Sequence, residues 1–184
     1  MIITFIITAA VIIADQVSKY IIKTNMEVGE SFNLIKNILN IRYIENAGAS
    51  FGILKDHRWI FMIFSSVALV FMCAAIFYFN RESVRKYNRW LSIALAFMFG
   101  GGAGNMIDRF INESEVREGV KVVVDFLEFD FVDFAIFNLA DTFISIGSVL
   151  FCLCIFFGKY KLNNKKIEAS EVIEEFLEDS GDIS

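Results

Sequence analysis

A chain of 184 residues with 56% hydrophobic residues, 21 phenylalanines and a mean hydropathy of +0.56 is too apolar for an ordinary soluble domain, in which about half of the residues are apolar. The net charge of -5 is concentrated in a tail that carries Glu168, Glu171, Glu174, Glu175, Glu178, Asp179 and Asp182, and no basic patch interleaved with aromatics stands outside the loop near Arg85, which excludes nucleic acid as a partner. Cys73, Cys152 and Cys154 fall inside apolar stretches without metal-ligand spacing, so they read as small core residues rather than as disulfide or zinc ligands.

In chain order, the first apolar stretch runs from Ile2 to Ile22, close to the roughly 20 residues that a helix needs to cross about 30 Å of hydrocarbon. It has no basic residue ahead of its apolar run and no small-residue cleavage signal, and Asp15 lies within it, so it is expected to be a retained span and not a removed signal peptide. The stretch from Phe32 to Ile44 is rich in β-branched and aromatic residues that partly alternate around Asn37, which predicts a small hairpin resting on the membrane surface. Trp59 to Phe79 and Trp90 to Ile107 supply a second and a third span. Between Asp108 and Ile136 lies a second connecting segment, in which Val122-Val123-Val124 leads into Asp125-Phe126-Leu127 as a strand-like or re-entrant run. Its acid reads either as a turn or capping carboxylate or as part of a site. Phe137 to Phe157 is the fourth span.

Arg81, Arg85, Lys86 and Arg89 after the second span, and Lys159, Lys161, Lys165 and Lys166 after the fourth, place those segments and both termini in the cytoplasm. The expected fold is an all-α membrane protein: four transmembrane helices, a small extracytoplasmic β-hairpin or sheet and a second extracytoplasmic loop. Residues 1–162 form the membrane domain. Residues 163–184 form an acidic cytoplasmic tail, with Ile167, Ile173, Phe176 and Leu177 at roughly helical spacing, read as a solvated appendage.

Seven polar residues fall at one depth of this arrangement: Asp15 and Lys19 on the first span, Asn105, Asp108 and Arg109 on the third, and Asn138 and Asp141 on the fourth. A charge facing lipid costs about 2.5 to 3.5 kcal/mol at mid-bilayer, so these side chains are expected to turn inward and meet. The spacings Asp15 to Lys19, Asn105 to Arg109 and Asn138 to Asp141 put each pair on one helix face. Such a cluster either fastens the helices together or forms a site. An ion or substrate pathway in a small transporter is the alternative function, although the chain shows no inverted repeat and contains no proline with which to break a helix pair. Gly48-Ala49-Ser50-Phe51-Gly52 matches the serine nucleophile pattern, but the chain is too short for that fold and its single histidine, His57, lies in a span-flanking segment. With one histidine there is no H-E-x-x-H metalloprotease motif either.

The motifs Asp15-Gln16-Val17-Ser18-Lys19, Asn46-Ala47-Gly48-Ala49-Ser50-Phe51-Gly52, Gly101-Gly102-Ala103-Gly104-Asn105-Met106-Ile107-Asp108-Arg109, Val124-Asp125-Phe126 and Phe137-Asn138-Leu139-Ala140-Asp141 follow one another in an order that resembles bacterial lipoprotein signal peptidase, also called signal peptidase II. The resemblance implies an endopeptidase of the bacterial cytoplasmic membrane that acts on diacylglyceryl-modified prolipoproteins and cuts on the amino side of the lipidated cysteine. It implies Asp125 and Asp141 as the catalytic pair near the outer face. Asp15, Asn46, Asn105, Arg109 and Asn138 would support them, with Lys19, Gly48, Gly104, Asp108 and Ala140 alongside in the same motifs. No metal or cofactor is implied. The partners are the lipidated precursor and membrane lipids, and the chain is expected to act as a monomer. Two neighbouring carboxylates share a proton readily, which suits peptide hydrolysis. The segment Phe110 to Val124 is longer than the family's usual connection between the Asp-Arg motif and the first aspartate, so an extended outer loop is expected there, and Asp130 and Asp133 stand as neighbouring acids.

Overall fold

The computed structural model describes residues 1–48, 58–80 and 82–157. Helix α1 (Ile2–Asn25) ends where Met26 turns to extended backbone, its N–H still bonded to the Ile22 carbonyl at 3.0 Å. Two strands follow, β1 (Ser31–Ile35) and β2 (Leu39–Asn46), joined by a tight turn in which Asn37 takes a φ of 61°, a conformation that asparagine tolerates better than most residues. Helices α2 (Arg58–Phe79) and α3 (Glu82–Ile111) come next, then strand β3 (Val123–Phe129) and helix α4 (Leu139–Phe157). Each helix contains an apolar stretch of 18 to 24 residues, long enough to span a bilayer, and the chain is a multi-pass membrane protein.

The third helix is the axis of the bundle. Of the residues in its apolar stretch 56% are buried, against 22%, 6% and 11% for α1, α2 and α4. The other three turn large apolar residues outward, Phe64, Phe71 and Phe156 among them, a surface suited to lipid rather than water. Cys152 lies on this outer surface, and Cys73 and Cys154 are half-buried, so the expectation of three core cysteines is corrected: in a lipid-facing helix the apolar surroundings are the bilayer. Helix α3 runs four residues further than the predicted span, to Ile111, so Asp108 and Arg109 belong to its last turns.

The predicted hairpin is present and gains a third strand. The order is β1-β2-β3, all antiparallel, with Ile44 opposite Asp125 and Asn46 opposite Val123. Ile41, Tyr43, Val124 and Phe126 form a small core backed by Ile22 and Met26, which seats the sheet on the end of α1. A bridge between Leu127 and Phe137, with N–H···O distances of 2.8 and 3.0 Å, ties β3 to the residue just before α4. Strand β3 and the start of α4 are thereby fixed relative to each other. The acidic tail from residue 163 lies outside the described residues.

Candidate active site

On α1, Lys19 and Asp15 are four residues apart and therefore one turn apart. The Lys19 ammonium donates to Asp15 Oδ2 at 2.8 Å and Asn105 Oδ1 at 2.8 Å, and pairs with Asp108 Oδ2 at 2.9 Å, so each of its three N–H groups meets one oxygen. Asp15 and Asp108 are fully buried and Lys19 is 2% exposed. Buried ions hold only when every remaining lone pair is also satisfied. Asp15 Oδ1 accepts the Ala140 N–H at 3.0 Å, and Asp108 Oδ1 accepts the Gln16 amide at 3.0 Å. A Cβ at Gly104 would collide with Asp15 Oδ2, and one at Gly101 with the Ala140 carbonyl; these two glycines let α1 and the start of α4 close on α3.

The start of α4 supplies the second layer. Asn138 is its N-cap: its Oδ1 accepts the Asp141 N–H at 3.0 Å, while Asp141 Oδ2 accepts the Asn138 N–H at 3.2 Å. This reciprocal arrangement is a capping box with aspartate in the third position. Asp141 Oδ1 accepts from Asn105 Nδ2 at 2.8 Å. The Asn138 amide reaches the other way, donating to Asp125 Oδ1 at 2.6 Å and to Asn105 Oδ1 at 3.0 Å. A single asparagine therefore bonds both carboxyl groups, one through its backbone and one through its side chain.

From the sheet side, Asn46 Nδ2 donates to Asp125 Oδ2 at 2.8 Å. Its Oδ1 accepts the N–H of Gly48 at 2.8 Å, in a turn for which Gly48 adopts a φ of 88°; that bond fixes which end of the amide faces the acid. Asp125 is 2% exposed. Burial pushes its carboxyl up to about 7, the charge on Asp141 adds to the rise, and the Asn46 and Asn138 hydrogen bonds and the Lys19 ammonium offset part of it.

The structure brings together Asp15, Lys19, Asn46, Gly104, Asn105, Asp108, Asp125, Asn138, Ala140 and Asp141 of the expected set, with Gly48 one turn from Asn46. Arg109 is half-buried in the last turn of α3, where a cation suits the helix C-terminus. Asp130 is exposed and accepts from Asn40 at 3.1 Å, and Asp133 is also exposed; neither joins the buried network. Ser50 and His57 lie outside the described residues. Gln16 stands in the first motif but has no role in the expected set, yet its amide also reaches the Gly104 carbonyl at 3.1 Å and so bridges α1 and α3. Among the described residues no group of three or more His, Cys, Asp or Glu side chains is disposed to hold a metal ion.

Residues 7–157 match the family model described as Signal peptidase (SPase) II. A lipoprotein signal peptidase of Brevibacillus brevis is 36% identical over 152 residues, 83% of this chain and 93% of the relative. Another from Streptococcus agalactiae is 38% identical over 158 residues, 86% and 93% of the two chains. Among solved structures, a bacterial membrane enzyme determined by the in meso method superposes with a TM-score of 0.69 at 33% identity, covering 86% of this chain and 90% of that one. A second, also described as a bacterial membrane enzyme, gives 0.68 at 34% identity.

Proposed function

The chain belongs to the signal peptidase II family, and from that premise we propose that it removes the signal peptide from diacylglyceryl-modified prolipoproteins by aspartic chemistry, with Asp125 and Asp141 as the reacting pair. One observation carries this reading: Asn138 bonds both carboxyl groups, while burial raises the carboxyl of the acid on β3 to about 7. General acids and bases work best with affinities near the working pH.

In the proposed reaction Asp141, at the N-terminus of α4, carries the charge, and Asp125 carries the proton. A helix N-terminus favours a negative group. Asp141 takes a proton from water as the water oxygen attacks the scissile carbonyl, and Asp125 delivers its proton to the carbonyl oxygen, leaving a tetrahedral diol. The diol collapses as Asp141 passes its proton to the departing amine and Asp125 recovers its own from the reforming acid's hydroxyl. Asn46 and Asn138 hold the Asp125 carboxyl, and Asn105 holds that of Asp141. The ion cluster of Asp15, Lys19 and Asp108 stands behind Asn105 and fixes α1, α3 and α4 around the pair. The signal helix and acyl chains of the precursor would lie along the apolar helix faces, and cleavage would fall on the amino side of the lipidated cysteine.

The basic residues at Arg81 to Arg89 and Lys159 to Lys166 support an orientation with both termini cytoplasmic and the sheet outside the cytoplasmic membrane, and the chain is taken to act as a monomer. A lone cysteine at exposed Val116 should then react with an impermeant thiol reagent in intact cells and one at Ser83 should not, once the native cysteines are replaced. The direct test of the function is to incubate the purified protein with a lipidated precursor and with its unlipidated form. Cleavage of the lipidated form alone is expected; no cleavage of either, by protein correctly inserted, would remove the proposal.

A further inference from the structure

Between α3 and β3 the chain makes a hairpin from Asn112 to Val122 that supplies no group to the carboxyl pair. Its base is closed by Val122 N–H to the Asn112 carbonyl at 3.0 Å and by Asn112 N–H to the Asp108 carbonyl at 2.8 Å. Its limbs pair at Glu113 and Lys121, and Ser114 N–H reaches the Val120 carbonyl at 2.7 Å. What the hairpin grips is Glu45 of β2. One oxygen of that carboxylate accepts the Ser114 hydroxyl and the other accepts the Glu115 N–H at 2.7 Å. Ser114 Oγ in turn accepts the N–H of Arg117 at 3.0 Å, so a single carboxylate organises the whole tip.

A second observation shows that this grip sits over the folded core. Tyr43, two residues before Glu45 on β2 and part of the small core with Val124 and Phe126, is completely buried, and its hydroxyl has no hydrogen-bond partner among the described residues. Burial raises the phenol above its ordinary value, and the charges of Glu115 and Glu45 push it further. The next residue after Glu45 points to the opposite face of β2. That residue is Asn46, the donor to Asp125.

We propose that the 112–122 hairpin is a strap latched onto Glu45, and that Glu45 is thereby a positioning residue for Asn46 and the Asp125 carboxyl. The proposal rests on Asp125 being one of the reacting pair. Glu45 never touches the reacting atoms; it fixes the strand from which Asn46 projects. The charged and titratable groups that face Asp125 from the packed elements are Asp141 of α4, Lys19 of α1 and, through the Val124 N–H, Asp108 of α3. Around Glu45 they are Tyr43, Glu115 and, 4.0 Å from Glu115, Lys23.

The test is the pH profile of kcat for cleavage of a lipidated precursor by Glu45→Ala, Ser114→Ala and Asp125→Asn. A loosened Asn46 donates less well to the ionised acid, so the limb reporting Asp125 should move to higher pH in Glu45→Ala, by about half a unit to one unit for partial loss of a bond to a charged group. Misplacement of this kind should also lower kcat about tenfold to a hundredfold with little change in KM. Ser114→Ala keeps the Glu115 N–H contact, so it should shift the limb less and in the same direction. Profiles of Glu45→Ala and Ser114→Ala that coincide with that of the parent chain, with Asp125→Asn inactive, would overturn the strap alone. Cleavage by Asp125→Asn would remove the carboxyl pair and the strap together.

Discussion

The two ends of the helix bundle handle buried polarity in opposite ways. At the end that meets the sheet, α1, α3 and α4 share one network of three acids, a lysine, two asparagines and a glutamine, every member bonded to at least two others. At the far end, some 15 residues or about 22 Å along α1, a neutral buried contact joins α1 to the end of α2: Thr4 Oγ1 donates to Asn80 Oδ1 at 3.2 Å, with the Asn80 amide turned back on the Ile76 carbonyl. A bundle in lipid can be fastened by one such neutral clasp. The charges at the sheet end exceed what fastening requires, and under the proposed function the excess marks the end at which the chemistry would be done.

Substitution of the carboxyl pair should break the comparison most severely. Asp125→Asn and Asp141→Asn should each lower cleavage of a lipidated precursor by about 10² to 10⁴-fold or more, and the double variant should be little worse than either, because the two act as a unit. Additive losses in purified, correctly inserted protein would show two independent contributors instead of a pair.

Removing the cation should come next. Lys19→Met leaves Asp15 and Asp108 buried without their counter-ion, a change of the kind that costs about 3 to 5 kcal/mol. Thermal unfolding in detergent should show a clear drop in midpoint; a midpoint equal to that of the parent chain would mean that the triad is not charged as drawn.

A pH scan sharpens the same contrast. The Asp125 carboxyl rises from 3.8 to about 7 on folding, so between those values the folded state holds the proton that the unfolded state has released. Its contribution to stability is present below that window and is lost as pH rises through it. The unfolding midpoint should fall between pH 5 and pH 7.5, and Asp125→Asn, which cannot ionise, should flatten that part of the curve. The far end should respond least: Thr4→Val should cost about 1 kcal/mol or less and leave cleavage as it was. Loss of activity in that variant would extend the functional region along the whole of α1.

Much of this arrangement is legible in the sequence, because helix periodicity is a local property. Asp15 with Lys19 and Asn138 with Asp141 each announce a shared face, and a common depth follows once four spans are counted. The cost of charge in lipid then forces the faces together. What periodicity cannot reach is pairing across the chain. Asp125 stands out in the sequence as an acid within an apolar run, but Asn46 and the role of Asp125 come from the motif resemblance alone, since the meeting of the two depends on the register of β2 against β3. Gln16 and Glu45 are silent in the sequence for the same reason: each is an ordinary polar residue until its partner, 92 positions away at Asp108 and 69 away at Ser114, is known. The transporter reading drew on the same cluster and on nothing further, and membership of a peptidase family leaves it without support.

The placement of Lys19 one turn from Asp15 also bears on how the chain is made. Translation delivers α1 before Asp108 of α3 exists, and α1 by itself already holds both members of one ion pair. In the folded chain that acid and its counter-ion lie 2.8 Å apart, a pair that draws on no other segment. The second acid comes only with α3, and both of its oxygens are met by α1, one by the Lys19 ammonium and the other by the Gln16 amide. One helix, the first to be made, thus holds a side-chain partner for each oxygen of the acid on the third.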